Sequence, residues 1–280
     1  PVRFTSSHKG DYGRVAIFAG SDSYTGAAIL ASNACLKSGA GLITLYYHPD
    51  LKGRFDASLT EVIKKSVPII SEQIDSSFLR DEINNADTVL IGPGLTTSDY
   101  SLNLLESVIE YIEEKPLIID ADAINLLALN KSLLTKIANK NVILTPHLAE
   151  FSRLSGLDID FICNDPINSL QDFVNNFNIS VLLKSSVSIC SNKDKTILIN
   201  KGNDGLSTGG SGDVLAGILA SFCAQNSKFC QKNPDHYDVK YKSKDLLIQS
   251  AASAAFLLGY TAELLERKLL TPAITPSIIV

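Results

Sequence analysis

Six short and almost wholly apolar runs, Val15–Ala19, Leu42–Tyr47, Thr88–Ile91, Leu117–Asp120, Val142–Thr145 and Val181–Lys184, punctuate this chain, with longer amphipathic stretches between most of them. Runs this short and this rich in branched side chains are strands, and strands apolar on both sides must be covered on both faces, as in a buried parallel sheet. Two further runs, Val187–Cys190 and Thr196–Ile199, are joined through Ser191-Asn192-Lys193-Asp194 and predict an antiparallel hairpin at the edge of that sheet. Helical spacing marks Ala27–Lys37, which stops at Gly39 and Gly41, and Leu102–Ile112. Val214, Leu215, Ile218, Leu219 and Phe222 fall on one face of a third helix. The alternation predicts an α/β, doubly wound, mostly parallel sheet flanked by helices on both faces, with residues 1–280 forming a single domain. Asn226–Lys244, polar and partly basic, reads as a surface loop between two helices.

Composition removes several function classes. With 280 residues, 45% of them hydrophobic and 20% charged, the chain has ample material for a core. A formal net charge of −5 without clustered cations gives no reason to expect nucleic acid or an anionic membrane as partner. Apolar runs are interrupted well short of the roughly 20 residues a membrane helix needs, and the first residues lack a signal-peptide core, so a cytoplasmic protein is expected. Cys35, Cys163, Cys190, Cys223 and Cys230 are odd in number and never spaced as CxxC, which argues for reduced thiols and against zinc or disulfides. His8, His48, His147 and His236 include no HxxxH pair, and no GxSxG elbow is present.

The chemistry-bearing residues cluster where predicted strands end, which is where doubly wound sheets gather ligands. Gly20-Ser21-Asp22-Ser23-Tyr24-Thr25-Gly26-Ala27 follows the first strand, Gly92-Pro93-Gly94-Leu95 the third, Asp120-Ala121-Asp122-Ala123 the fourth, and Thr145-Pro146-His147-Leu148-Ala149-Glu150 the fifth. Each has a plain structural reading: tight turns for the glycines, helix caps for Asp120 and Asp122, a polar loop residue for His147, a first-turn glutamate for Glu150. Two carboxylates at a strand end are costly unless hydrogen bonded or near a cation, which leaves an indirect magnesium role open. Further on, Thr208-Gly209-Gly210-Ser211-Gly212-Asp213 runs directly into the third helix. Amides released by glycines and the positive end of a helix favour a bound phosphate. Asp213 at that point either caps the helix or stands ready to take a proton from a group meeting the phosphate.

Taken in order, His8-Lys9-Gly10-Asp11-Tyr12-Gly13, Gly20-Ser21 with Tyr24-Thr25-Gly26-Ala27, Ser38-Gly39-Ala40-Gly41-Leu42, Gly92-Pro93-Gly94-Leu95, Asp120-Ala121-Asp122-Ala123, Thr145-Pro146-His147 with Glu150, and Gly209-Gly210-Ser211-Gly212-Asp213 resemble the motifs of the ADP- or ATP-dependent NAD(P)H-hydrate dehydratases, a branch of the ribokinase-like superfamily. The resemblance runs from His8 to about Leu265. It implies a ribokinase-like fold and a repair lyase that dehydrates hydrated NADH or NADPH while ADP or ATP is consumed, with Mg2+ as companion. It further implies that Asp213 accepts the hydroxyl proton, that the amides of Gly210, Ser211 and Gly212 hold the developing charge, and that Ala27, Gly94, His147 and Asp213 contact the hydrated dinucleotide. Lys184, Ser185, Ser186, Val187 and Ser188, with Gly212, would contact the adenine nucleotide, and Glu150 would help hold magnesium through phosphate or water. A homo-oligomer, expected as a tetramer, and a separate epimerase acting on the same hydrates also follow from the resemblance, because the epimerase domain frequent in relatives is not found in this sequence.

Two departures stand out. Relatives usually read Lys-Gly where this chain has Lys184-Ser185, and threonine where it has Ser188. A serine hydroxyl replaces that of threonine, but if the backbone at Ser185 needed positive φ, the serine would be strained or the loop reshaped. A kinase of the same fold acting on a small vitamin precursor such as hydroxymethylpyrimidine, hydroxyethylthiazole or pyridoxal would use the same amides and Asp213. A nucleotide sensor without chemistry is the remaining alternative, and the retained Asp213 weighs against it.

Overall fold

The computed structural model describes residues 5–232 and 243–280. In chain order its strands are β1 (Arg14–Phe18), β2 (Leu42–Tyr47), β3 (Ile63–Ser66), β4 (Ile69–Ile70), β5 (Gln73–Ile74), β6 (Thr88–Ile91), β7 (Leu117–Ile119), β8 (Val142–Leu144), β9 (Ser180–Leu183), β10 (Ser188–Ser191) and β11 (Thr196–Ile199). The helices are α1 (Thr25–Lys37), α2 (Ser76–Asn85), α3 (Asp99–Tyr111), α4 (Asp122–Leu129), α5 (Ser132–Ile137), α6 (Leu148–Ser155), α7 (Ile159–Asn164), α8 (Pro166–Phe177), α9 (Ser211–Lys232), α10 (Ser243–Glu266) and α11 (Pro276–Ile279), with short 3-10 turns between some of them. Nine strands form one sheet in the order β11-β10-β9-β8-β7-β6-β1-β2-β3, and β4 and β5 form a separate antiparallel ribbon. Neighbours from β9 to β3 are parallel, whereas β10 runs antiparallel to both β9 and β11. The six predicted parallel strands and the edge hairpin are therefore present.

Side-chain alternation divides the core in two. Val15 and Ile17 of β1, with Leu90, Ile118, Ile143 and Leu182, face α1, α9 and α10. Ala16 and Phe18, with Ile91, Ile119 and Leu144, face the layer that includes α2, α3, α4, α6 and α8. Burying each such aliphatic side chain is worth roughly 1.5–3 kcal/mol, so the central strands supply stability while their ends remain free to carry polar groups. From β1 the chain crosses through α1 to β2 on one side, and β6 lies on the other side of β1. Connections leaving β1 and β6 diverge there, and the crevice of a doubly wound sheet opens at that switch point.

Several boundaries differ from the sequence expectation. Ala19, Asp120, Thr145 and Lys184 lie one residue beyond their strands, at the point where the chain leaves the sheet, and Val187 precedes β10. β3 was not foreseen because its Ile-Lys-Lys-Ser sequence is polar, as suits an edge strand partly open to solvent. Asn226–Lys232 is helix rather than loop. The burial of Cys223, Ala224 and Gln225 carries α9 onward, and ion pairs from Lys228 to Asp87 and from Lys232 to Asp11 tie down its last turns. Residues 233–242 of that expected loop, including His236, lie outside the described residues. All five cysteines are free, with Cys35, Cys190 and Cys223 buried, Cys230 partly so and Cys163 exposed. Among the described residues no helix is long and apolar enough to cross a membrane.

Candidate active site

At the switch point the first two glycine motifs hold each other. Gly20 N–H donates to the Pro93 carbonyl at 2.9 Å, and Gly92 N–H donates to the Phe18 carbonyl at 3.2 Å. Gly94, at φ +65°, lies so close to α1 that a Cβ there would stand 2.7 Å from the Tyr24 carbonyl oxygen and 3.0 Å from the Ala27 methyl. Ala27 and Gly94 are thus brought together. Leu30, one turn beyond Ala27, meets Gly210, so the same helix joins this corner to the start of α9.

The amino end of α9 carries unpaired amides. Ser211 N–H donates to the Thr208 carbonyl at 3.3 Å, but among the described residues no acceptor takes the N–H of Gly209, Gly210, Gly212 or Asp213. Gly210 adopts φ +100°, a conformation L side chains rarely take, which turns the loop into the helix. Asp213 sits inside the first turn rather than at the cap, and its carboxylate accepts no hydrogen bond from the described residues. The capping reading of Asp213 is therefore set aside.

Facing that turn is a group of carboxylates around one ammonium. Asp120, 1% exposed, accepts from Thr145 Oγ1 at 2.7 Å and from Lys184 Nζ at 2.8 Å, both on Oδ1, while its buried Oδ2 has no partner among the described residues. Asp122 Oδ2 accepts from the Thr96 N–H at 2.8 Å. Neither aspartate caps α4, whose cap position is Ala121 at φ +50° and ψ −121°. Ala121, in a conformation that residues other than glycine rarely adopt, is the residue between the two carboxylates. Lys184 Nζ also lies beside α9: a Cβ on Gly212 would be 3.2 Å from it.

His147 and Glu150 combine a structural task with their place in the site. His147 Nδ1 accepts from the N–H groups of Ala149 and Glu150, and Glu150 Oε2 accepts from the His147 N–H, a reciprocal cap on α6. With Nδ1 occupied as an acceptor, Nε2 is the ring nitrogen left for a ligand, 3.4 Å from Glu150 Oε1. Lys184 N–H donates to the Pro146 carbonyl at 2.8 Å, which binds the His147 and Lys184 loops side by side.

Electrostatics follow from this crowding. Burial pushes the Asp213 carboxyl up, Asp120 adds to the shift, Lys184 opposes it, and Asp122 and Glu150 add more, to about 7. Glu150 is likewise raised, by burial first, with Lys184 opposing. Burial disfavours the Lys184 ammonium, but Asp120, Glu150 and Asp213 outweigh it and hold its pKa above the ordinary lysine value. His147 is lowered by burial and by Lys184 and Arg153, so the ring is neutral near pH 7.

Ser185 and Ser186 are exposed on the rim, and Ser188 begins β10 paired with Ile199. Ser185 is not among the residues with positive φ, so the expected strain at the missing glycine is absent. Its Oγ instead donates to the Val187 carbonyl at 2.5 Å and closes the loop on itself. Among the described residues no set of three His, Cys, Asp or Glu side chains is placed to hold a metal. With Lys184 among the carboxylates and Glu150 Oε2 committed to the His147 amide, these residues do not fit a directly ligated magnesium.

A doubly wound sheet with an unpaired helix terminus facing a carboxylate cluster places the chain with the ribokinase-like proteins. A ribokinase-like superfamily protein from Enterococcus faecalis matches it at a TM-score of 0.76 and 27% identity, over 99% of this chain and 90% of that one. Within that class, a profile of the NAD(P)H-hydrate dehydratases matches residues 15–276. The chain belongs to the NAD(P)H-hydrate dehydratase family. It is 33% identical over 226 residues to the ADP-dependent (S)-NAD(P)H-hydrate dehydratase of Staphylococcus aureus, covering 80% of this chain and 78% of that protein. It is 34% identical over 235 residues to the bifunctional NAD(P)H-hydrate repair enzyme of Moorella thermoacetica, covering 81% of this chain and 44% of that protein. The chain therefore spans less than half the length of this bifunctional relative.

Proposed function

We propose that this chain dehydrates hydrated NADH or NADPH to the working cofactor at the expense of a nucleotide, as a single domain. The observation that carries the reading is the placement of Asp213: among the described residues its carboxylate accepts no hydrogen bond and the neighbouring amides lack acceptors, while burial pushes its pKa up to about 7. A base works best when its pKa lies near the operating pH, and unpaired amides stabilise charge where it develops. ADP or ATP supplies the phosphoryl group that turns a poor leaving hydroxide into phosphate, and the name of the Staphylococcus aureus relative favours ADP.

In this scheme Asp213 takes the proton of the ring hydroxyl as the oxygen–phosphorus bond forms and the bond to the departing nucleotide breaks. The N–H groups of Gly210 and Gly212 hold the transferred group, whereas that of Ser211 is already occupied by Thr208. The ring nitrogen's lone pair then expels phosphate, and loss of a proton from the adjacent carbon restores the reduced ring. Ala27, Gly94 and His147 line the dinucleotide side, with neutral His147 offering Nε2–H, and Lys184–Ser188 with Gly212 line the nucleotide side. Magnesium enters on the nucleotide rather than on ligands of the protein. We place the enzyme in the cytoplasm as a homotetramer, with a functional link to an epimerase that interconverts the two hydrates.

The test is direct. Protein incubated with NADH hydrate and either nucleotide should raise the absorbance of reduced nicotinamide, and Asp213→Asn should lower kcat about 10²- to 10⁴-fold with nucleotide binding little changed. A stable phosphorylated product from a vitamin precursor, with no action on the hydrate, would instead establish the kinase.

A further inference from the structure

The amides at the amino end of α9 are presented by a loop that has little of its own to hold it. Residues 202–210 carry glycine at four of nine positions, 202, 205, 209 and 210, and nothing lies within 4 Å of the place a Gly209 side chain would take. An anion site works only if its donors already point at the charge, so a loop this free in conformation needs its course fixed from outside.

Two later parts of the chain do this. The end of α10 takes the first residues of the loop: Glu263 Oε1 accepts from the Gly202 N–H at 3.0 Å, and Asn203 Nδ2 donates to the Ala262 carbonyl at 3.1 Å and to Glu266 Oε2 at 3.0 Å. The segment after α10 takes the rest. A Cβ on Gly205 would stand 2.9 Å from both Ile274 Cβ and the Thr271 carbonyl oxygen, and one on Gly210 would stand 3.2 Å from Pro276 Cγ. Ile274 and Pro276 are buried, and Ile279, Val280 and Leu206 pack against the core layer that holds α9. The two contacts fall on either side of Thr208, whose Oγ1 donates to the Gly205 carbonyl at 3.0 Å and whose own carbonyl accepts from the Ser211 N–H. Any shift of the segment therefore passes directly to the start of α9.

We propose that residues 271–280 brace the phosphoryl loop, with Ile274 and Pro276 as positioning residues that act through it to fix the direction of the Gly209, Gly210 and Gly212 amides. This rests on the reading of the α9 terminus as the phosphate site. It divides the active site into two halves. The amides depend on the brace, whereas Gly94 and His147 are set by the ends of β6 and β8 and do not. Loosening the brace should weaken ADP and slow phosphoryl transfer while the hydrate binds as before.

The experiment compares Ile274→Ala, Ile274→Val and Pro276→Ala with the parent protein and with Leu170→Ala, a fully buried position of α8 in the opposite core layer. Hydrogen exchange of the bonded loop amides, those of Gly202, Gly205, Leu206 and Ser207, is read on the ligand-free proteins. ADP affinity is measured by calorimetry, and kcat and the hydrate KM at saturating ADP. In Ile274→Ala the loop amides should exchange roughly tenfold faster or more, with β7 and α4 unchanged. ADP affinity should fall roughly tenfold. The fall in kcat should be about 10- to 100-fold at an unaltered hydrate KM. Ile274→Val should return these values close to the parent, and Leu170→Ala should lower the melting temperature yet leave loop exchange and ADP affinity alone. Parent-like loop exchange and ADP affinity in Ile274→Ala, or equal losses in Leu170→Ala, would overturn the proposal. Should Ile274→Ala fail to fold, Pro276→Ala decides it by the same readings: faster loop exchange with weaker ADP supports the brace, and parent values of both refute it. A parent protein that neither binds ADP nor turns over hydrate would sink the assigned function and the brace together, whereas an active parent with unaffected variants would count against the brace alone.

Discussion

Asp213 shows how a residue's environment converts an ordinary acid into a base suited to neutral pH. The pKa of the folded-state carboxyl stands above its unfolded value, at about 7 against 3.8, so protonation favours the fold. The sign is fixed by linkage: between these values the native state holds a proton that the unfolded chain has released, and stability falls as pH rises. The contribution is complete below about pH 4 and lost by the time pH has risen through about 7. Asp213→Asn should therefore gain stability relative to the parent over that window, on the order of 2–4 kcal/mol, and gain nothing at pH 3. Denaturant melts of both proteins from pH 3 to 8 check this, and equal differences at all pH values would show that Asp213 titrates normally. Activity runs the other way, since the same deprotonation that costs stability arms the base.

At the scale of elements, the site depends on the contact of α1 with α9, because α1 carries Ala27 and α9 carries Asp213. Gly217 sets their spacing: a Cβ there would fall 2.2 Å from the Ala31 carbonyl oxygen and 3.0 Å from the Ala34 methyl. No side-chain rotation relieves a clash with backbone, so Gly217→Ala must push the helices apart. A loss of about 2–3 kcal/mol is expected in melts, with kcat reduced because Asp213 moves away from Gly94. Unchanged stability would mean that the helices adapt without cost. The elements themselves were legible where periodicity and composition agree, as in β1, β6 and β8, whose residues are nearly all buried. β3 was not, because an edge strand obeys solvent on its open side and offers no apolar run. The extension of α9 past Asn226 was hidden for a related reason: its polar side chains are paid for by ion pairs to Asp87 and Asp11, distant in sequence.

Across the whole molecule, one sheet brings five strand ends to a common edge, and this explains which parts of the site the sequence disclosed. Glycines at Gly92, Gly94 and Gly210 answer to backbone conformation, a local demand that leaves a local trace. The pairing of Asp120 with Lys184 spans 64 positions and leaves none, since either residue alone reads as a surface or capping side chain. The same convergence predicts how ligand binding couples to folding. The amides, Lys184 and the rim residues come from segments that meet only in the native state, so ADP should bind the folded protein and not the unfolded chain. At a hundredfold excess over Kd this adds about 2.7 kcal/mol, a rise in Tm of roughly 5 °C for a domain of this size. The rise should survive in Asp213→Asn, whose amides are intact, and shrink in Gly217→Ala, whose helices are displaced. Calorimetric melts with and without ADP measure it. A rise in neither the parent protein nor Asp213→Asn would mean that the convergent edge does not receive the nucleotide, and the assignment of the anion site to the α9 terminus would fall with it.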